Sequence, residues 1–454
     1  MVLQSAAMIV ERSTSTSMRH WVIVLAVPAI LAGNVAFGVT PVQGRAKGFR
    51  LGQGATVSDL YFRWLGTRQL LFEGINPYSA AAAVEGERGF YGRALTDREK
   101  RLDPENYRGF NYPLHVVVLL APLAPLPFPA VRILATVGLA ALLAWATAAW
   151  CVALGWPVTR RSRVIACAAV LTSLPALDLL SLQQLTGLVF GLLVFAVLCL
   201  ADNRRPAVAG VCVACATIKP QLVALPLAAA ILWALARPRN RWRFLAALCA
   251  TLAVLVGASL VLLPTWPVWF VSDLRGYASQ VPASTLVGRL PAWPARAGVD
   301  ALVVVLTLSM PWIGGAMRDG HERVLLDVFA LALAATLVVS VADHLYDRVL
   351  LVPALLSLGR LHASGAVPRL SAAGIFARLV VATLVLVLGG GAVLGLLLRT
   401  GTTPVIPALA RAIFFGYTLL PLVVWIGLAL AIGGSRSAAF SNRSSPPTEI
   451  PYST

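Results

Sequence analysis

The chain has 454 residues, 58% of them hydrophobic and only 12% charged, with a mean hydropathy of +0.80. A soluble domain is nearer one-quarter charged, so a single water-facing globule is excluded and an all-α polytopic membrane protein is implied. The net charge of +18 comes from 37 basic and 19 acidic residues, and the arginines fall in short clusters between apolar runs, which is the pattern of membrane sidedness and not of a nucleic-acid partner.

Apolar segments run near 21–40, 131–155, 164–180, 185–201, 207–218, 221–236, 244–264, 299–317, 324–342, 345–358, 379–399 and 411–433. They predict a bundle of about 11–13 transmembrane helices within a single domain, residues 1–433. Arg12 and Arg19 precede the first segment and no clean small-x-small cleavage site follows, so it reads as a retained anchor. Between later segments lie Arg160, Arg161 and Arg163, then Arg204 and Arg205, then Arg237, Arg239, Arg241 and Arg243, then Arg318 and Arg323, then Arg360, Arg369 and Arg378. Placed in the cytoplasm, these clusters put both termini inside and turn 181–184, 219–221, 265–298 and 343–348 outward. All six cysteines lie in or beside apolar runs, which argues against a disulfide framework, and Cys212 and Cys215 read as packing residues.

The loop from 41 to 111 is the first extracytoplasmic loop. Within it Ser58–Phe72 has helical periodicity, with Tyr61, Leu65 and Phe72 on one face, and reads as an amphipathic helix on the outer membrane surface, ended by Gly74, Asn76 and Pro77. The next stretch, Tyr112–Ala130, is apolar but holds Pro113, Pro122, Pro125, Pro127 and Pro129, and is predicted to be a broken helix. The second outer loop, 265–298, has interfacial Trp266, Trp269, Tyr277 and Trp293, and the Ser/Pro-rich tail 434–454 reads as disordered and cytoplasmic.

Four groups could carry chemistry. Asp59 opens the amphipathic helix at the membrane boundary, where a carboxylate suits a general base; equally, Ser58 could cap that helix and Asp59 complement its dipole. Lys219, in Thr217-Ile218-Lys219-Pro220-Gln221, is the one lysine beyond residue 100, and suits a phosphate or snorkels to the interface. Asp343, His344, Tyr346, Asp347 and Arg348 could bind a phosphate or sugar, or pair among themselves. Gln183 and Gln184 offer amides to a sugar or to water. Asp178 and Asp327 lie within apolar runs and need partners, and His115 faces either the same cavity or the interface.

Taken in order, these features resemble the GT-C superfamily of membrane glycosyltransferases. Within it the chain is most similar to the polyprenyl-phosphate-mannose-dependent α-mannosyltransferase-like proteins, glycosyltransferase family eighty-seven and its relatives. The resemblance rests on Ser58-Asp59-Leu60-Tyr61 leading to Glu73-Gly74-Ile75-Asn76-Pro77-Tyr78, on Asn111-Tyr112-Pro113, on Gln184-Leu185-Thr186-Gly187, on Ile218-Lys219-Pro220-Gln221, and on Asp343–Asp347 followed by Val349-Leu350-Leu351-Val352-Pro353. Gln183 stands where a glycine is usual, and Leu114 replaces the second proline after Tyr112.

The resemblance implies a GT-C-like bundle in a plasma (inner) membrane, with the active site on the extracytoplasmic side. It implies a polyprenyl-phosphate sugar as donor, most simply a mannose, and a glycolipid or glycan acceptor. Asp59 would be the base of an inverting reaction. Lys219, with Arg63 and His344, would hold the donor phosphate, while Tyr61, Asn76, Tyr78, Tyr112, Gln184, Gln221 and Asp347 would contact substrate. One lipid phosphate needs less neutralisation than a pyrophosphate, so no metal or other cofactor is expected. The competing classes are a lipid or solute transporter, whose polar site would lie at the bilayer midplane, and a non-catalytic membrane scaffold.

Overall fold

The computed structural model describes residues 51–96, 99, 110–155, 159–202, 204–280, 293–309, 322–340, 344–363, 374–375, 378–380 and 419–432. The expected anchor at 21–40, nearly all of 379–399, Asp343 and the tail 434–454 lie outside these residues. Among the described residues every regular element is helical, as an all-α polytopic membrane protein requires, because lipid offers the backbone no hydrogen-bond partners.

Helices α1 (Asp59–Glu73) and α2 (Ala80–Tyr91) form a hairpin within the first loop. The Pro-rich run then breaks as expected: α3 (Val116–Leu120) is one short helix, followed by a 3-10 turn, Ala121–Leu123. After it come α4 (Phe128–Ala153), α5 (Arg160–Leu171), α6 (Leu174–Leu182), α7 (Thr186–Ala201), α8 (Pro206–Ala216), α9 (Pro220–Leu235) and α10 (Pro238–Leu262). The chain continues through α11 (Trp266–Gln280), α12 (Trp293–Ser309), α13 (Glu322–Val339), a second 3-10 turn (Leu345–Leu351) and α14 (Val352–Ala363). Helix α15 (Leu419–Ile432) is tied to α12 by the Trp425 indole, which donates to Thr307 Oγ1 at 3.0 Å.

Proline sits in the first two positions of α4, α6, α8, α9 and α10. There its missing N–H costs nothing and its fixed φ favours the first turn, so these helices start where the sequence places a proline.

Only α4 and α10 are each long and apolar enough to cross a bilayer alone among the described residues, with α5 and α6 a third candidate if taken as one span bent by 61°. Helix α8 has 11 residues and rises about 16 Å, against a hydrocarbon core of about 30 Å. Thr186–Ala201, Pro206–Ala216, Pro220–Leu235, Val324–Val339 and Leu419–Ile432 are shorter apolar helices. The 345–358 segment opens as a 3-10 turn before α14.

Helix α1 forms where the periodicity places it, but it is packed on more sides than one buried face. It is buried around most of its circumference, through Leu60, Phe62, Arg63, Trp64, Gly66, Thr67 and Leu70, while Phe72 is 59% exposed. Phe62 packs on Phe90 of α2, and Trp64 on Phe128 at the start of α4. Tyr61 and Leu65 are half-buried and Phe72 is exposed, so the face they share is the least buried side of the helix, and the other sides pack into the protein.

The core gathers around α13, whose residues from Leu325 to Val338 are almost all buried and which packs on α7, α9, α12 and α14. Burial from lipid gains little by itself, so close packing holds such helices together. Helix α8 accordingly meets α10 at Gly210, where a Cβ would lie 2.4 Å from the Phe244 carbonyl oxygen.

Candidate active site

Helices α1, α7 and α9 and the Leu345–Leu351 turn all begin at one place. Asp59 is the first residue of α1, Thr186 the first of α7, Lys219 caps α9, and His344 caps the 3-10 turn. The side chains of Asp59, Gln184, Lys219, Thr186 and Asp347 form one continuous hydrogen-bonded chain. Lys219 Nζ donates to Gln184 Oε1 at 3.0 Å and to Thr186 Oγ1 at 2.7 Å. The Gln184 amide donates in turn to Asp59 Oδ2, and the Thr186 hydroxyl to Asp347 Oδ1 at 2.6 Å. One ammonium thus heads two relays, each ending on a carboxylate. The direct separation of Lys219 Nζ and Asp347 Oδ1 is 3.8 Å, and Asp59, Gln184, Thr186, Lys219 and Asp347 are all buried.

Local structure explains each placement. Segment 52–57 runs along the end of α2, with Gly52 N–H donating to the Tyr91 carbonyl and Val57 N–H to that of Phe90. Val57 has φ +46°, a costly conformation for a β-branched residue, directly before Ser58 and Asp59. The Ser58 side chain makes no cap to α1 and donates instead to the Leu182 carbonyl at the end of α6.

Gln183 ends α6 in the left-handed region, φ +51°, which is why a glycine is usual there. Its amide donates to the Leu180 carbonyl at 2.5 Å and to Thr136 Oγ1 at 3.1 Å. The chain then turns so that Gln184 and Thr186 face the site. Asp347 and His344 cap each other reciprocally, with the His344 N–H donating to Asp347 Oδ2 at 3.3 Å.

The remaining expected residues divide. Arg63 is brought in: its guanidinium donates to the Asp59 backbone carbonyl at 2.8 Å and lies 4.6 Å over the Tyr112 ring. Tyr112 also lies 5.7 Å from Lys219 Nζ. Tyr78 and Asn76 stand behind Tyr112. The Tyr78 hydroxyl donates to the Tyr112 carbonyl at 2.6 Å, and Asn76 Oδ1 accepts from the Tyr78 N–H. Burial, with the negative charge of Asp273 next, pushes the Tyr78 phenol far above its ordinary value, so it stays a donor.

The His344 ring is one layer removed, stacked on Tyr346, whose ring sits 5.0 Å from Lys219 Nζ. Tyr61 is not brought in; it packs edge-on against Phe128, at 4.9 Å. Gln221 is exposed on α9 and is not brought in either.

Thr186 is not singled out by its sequence, apart from lying two residues after Gln184, yet it links Lys219 to Asp347. His115 caps α3 beside this cluster, and its Nε2 lies 3.2 Å from Thr217 Oγ1. Asp327 finds Arg360 at 2.7 Å, an ion pair between α13 and α14 that is separate from the site.

The arrangement favours an anion beside a base. Each helix start presents roughly half a positive charge, and several converge on Lys219. Two of the three Lys219 N–H groups are used, which leaves one for an incoming oxyanion. Asp59 Oδ1 is buried and has no hydrogen-bond partner among the described residues.

Comparison with known protein families matches residues 110–359 to glycosyltransferase family 87. Searches of curated proteins and of solved structures find no match. The matched stretch contains Tyr112, Gln184, Thr186, Lys219 and Asp347, and Asp59 lies before it. With more than half of its length matched, the chain belongs to glycosyltransferase family 87 and is a membrane glycosyltransferase.

Proposed function

We propose that the enzyme moves a hexose, with mannose the first to test, from a polyprenyl-phosphate donor to a glycolipid or glycan acceptor on the extracytoplasmic face of the plasma membrane. The observation that carries this reading is the convergence of helix starts on Lys219 beside a carboxylate with one unbound oxygen. A lipid phosphate meets Lys219 and these positive helix ends, with Arg63 next to them. The acceptor hydroxyl attacks the anomeric carbon. As the new C–O bond forms, its proton passes to Asp59, and the bond to the phosphate breaks with its electron pair going to the leaving oxygen. A single in-line displacement inverts the anomeric centre, whereas retention would need a carboxylate nucleophile close to that carbon. No metal takes part in this reading.

The test uses the full chain in lipid with radiolabelled polyprenyl-phosphate sugars and a crude lipid-and-glycan acceptor fraction. Transfer from one donor that collapses in Asp59→Asn supports the reading and names the sugar. Equal transfer by both proteins removes Asp59 as base, and no turnover of any donor overturns the proposal.

A further inference from the structure

The amide of Gln184 stands between a group that only donates and a group that, when ionised, only accepts. Lys219 has three N–H donors and no acceptor, and a carboxylate anion has no donor. The amide therefore has one workable orientation, Oε1 toward Lys219 and Nε2 toward Asp59. Flipped, it would press NH₂ against NH₃⁺ and C=O against a carboxylate, with both contacts repulsive. This polarity follows from the two neighbours and not from how an amide is drawn.

It has a consequence for the reaction, resting on the reading of Asp59 as base. Oδ2 is occupied by the amide, and Oδ1 is the buried oxygen without a partner among the described residues. We propose that Gln184 is a positioning residue: locked by Lys219, it holds Oδ2 of Asp59 and assigns the acceptor's proton to Oδ1. Gln184 forms no bond to the reacting atoms. It makes donor-phosphate capture at Lys219 and proton capture at Asp59 parts of one polarised unit, so that disturbing either end changes the other.

The charged groups around Asp59 are few. Arg63 on its own helix bonds its backbone carbonyl, Lys219 faces it through Gln184 from the start of α9, and Asp347 lies beyond Thr186. His344 is one ring further away. All of them stay in place when only residue 184 is changed.

The test compares Gln184→Glu, which keeps shape and the Lys219 contact, with Gln184→Leu, which removes both bonds, in the full chain in lipid. In Gln184→Glu two adjacent carboxylates must share a proton, so the acid limb of the pH–rate profile moves up by about 1 unit or more. In Gln184→Leu, the single-turnover rate of sugar transfer falls roughly 10–100-fold, the effect of one hydrogen bond to a charged group, and the donor KM shifts with it because Lys219 loses its Gln184 acceptor. Thermal midpoints recorded alongside show that both variants fold, and a merely structural role would lower those midpoints without moving the acid limb. An acid limb of Gln184→Glu that superimposes on the native one, or a native single-turnover rate in Gln184→Leu, overturns the proposal. Asp59→Asn is run in parallel: if it keeps native turnover, the base reading fails and this inference with it. If it is inactive while Gln184→Glu has the native profile, only the role of Gln184 fails.

Discussion

The Ser58 hydroxyl donates to the Leu182 carbonyl at 3.3 Å, tying the start of α1 to the end of α6 across 124 residues. A serine before a helix ordinarily turns back to cap it, but here the bond fixes the position of Asp59 relative to the turn that carries Gln184. Ser58→Ala is expected to cost about 1 kcal/mol and to lower transfer. Ser58→Asp separates the two roles. It would serve well as a cap, but it sets a carboxylate against a carbonyl, so its thermal midpoint should fall below that of Ser58→Ala.

Gln183 occupies a left-handed backbone position with its amide bonded to Leu180, Ser181 and Thr136. Gln183→Gly relieves about 1 kcal/mol of backbone cost and loses a similar amount of side-chain bonding, so its thermal midpoint should stay close to native. Gln183→Val keeps the strain and loses the bonds, and should be destabilised by about 2 kcal/mol. Denaturation in mild detergent distinguishes the two variants.

Tyr61 and Gly89 test packing against substrate contact. A Cβ at Gly89 would lie 2.0 Å from the Tyr61 ring, so Gly89→Ala must displace that ring from its place against Phe128, at a cost of about 1–3 kcal/mol. Tyr61→Phe keeps the ring against Phe128 and Trp64 and should leave both KM values unchanged. Loss of acceptor binding in Tyr61→Phe would return Tyr61 to the substrate.

Lys219 and Asp347 should couple strongly in a double-mutant cycle. Removing one member of a buried pair costs about 3–5 kcal/mol because the other charge is stranded. Lys219→Met should therefore destabilise the protein more than Lys219→Met combined with Asp347→Leu. Additive effects on the thermal midpoint would show that the two relays are independent.

In the first loop, hydrogen bonds from Arg93 and then Thr96 hold the Glu99 carboxyl down to about 2. A carboxylate depressed on folding contributes its stability above the ordinary carboxylate range and loses it as pH falls toward that value. Hydrogen-exchange protection at Leu95, Thr96 and Glu99, taken relative to the intrinsic rate at each pH, should therefore be flat from pH 7 to 5 and fall below about 4.5. Glu99→Gln should show low protection throughout.

Lys219 stands out in the sequence because charge is scarce in the apolar stretch around it, Asp59 because it opens an amphipathic helix, and the prolines mark where helices begin. Thr186 does not stand out, since a hydroxyl at a helix start is ordinary until α9 and the 3-10 turn bring Lys219 and Asp347 to it. The packing around the other sides of α1 is not legible for a related reason. Periodicity reports one buried face, whereas α1 has neighbours on several sides, Phe62 meeting α2 and Trp64 meeting α4. The ionic partner of Asp327 is 33 residues away on another helix, and no local pattern names it.

The convergence of helix starts on Lys219 has a cost on the far side of the proposed reaction. The donor phosphate is a diester with one negative charge. Once the sugar leaves, it becomes a monoester carrying about 1.5 to 2 negative charges near neutral pH. The positive helix ends that attract the substrate therefore grip the spent carrier lipid harder, and departure of that lipid, not glycosidic bond formation, becomes the slow step. Added polyprenyl phosphate should then act as a product inhibitor competitive with the donor, and a pre-steady-state burst of transferred sugar should precede the steady rate.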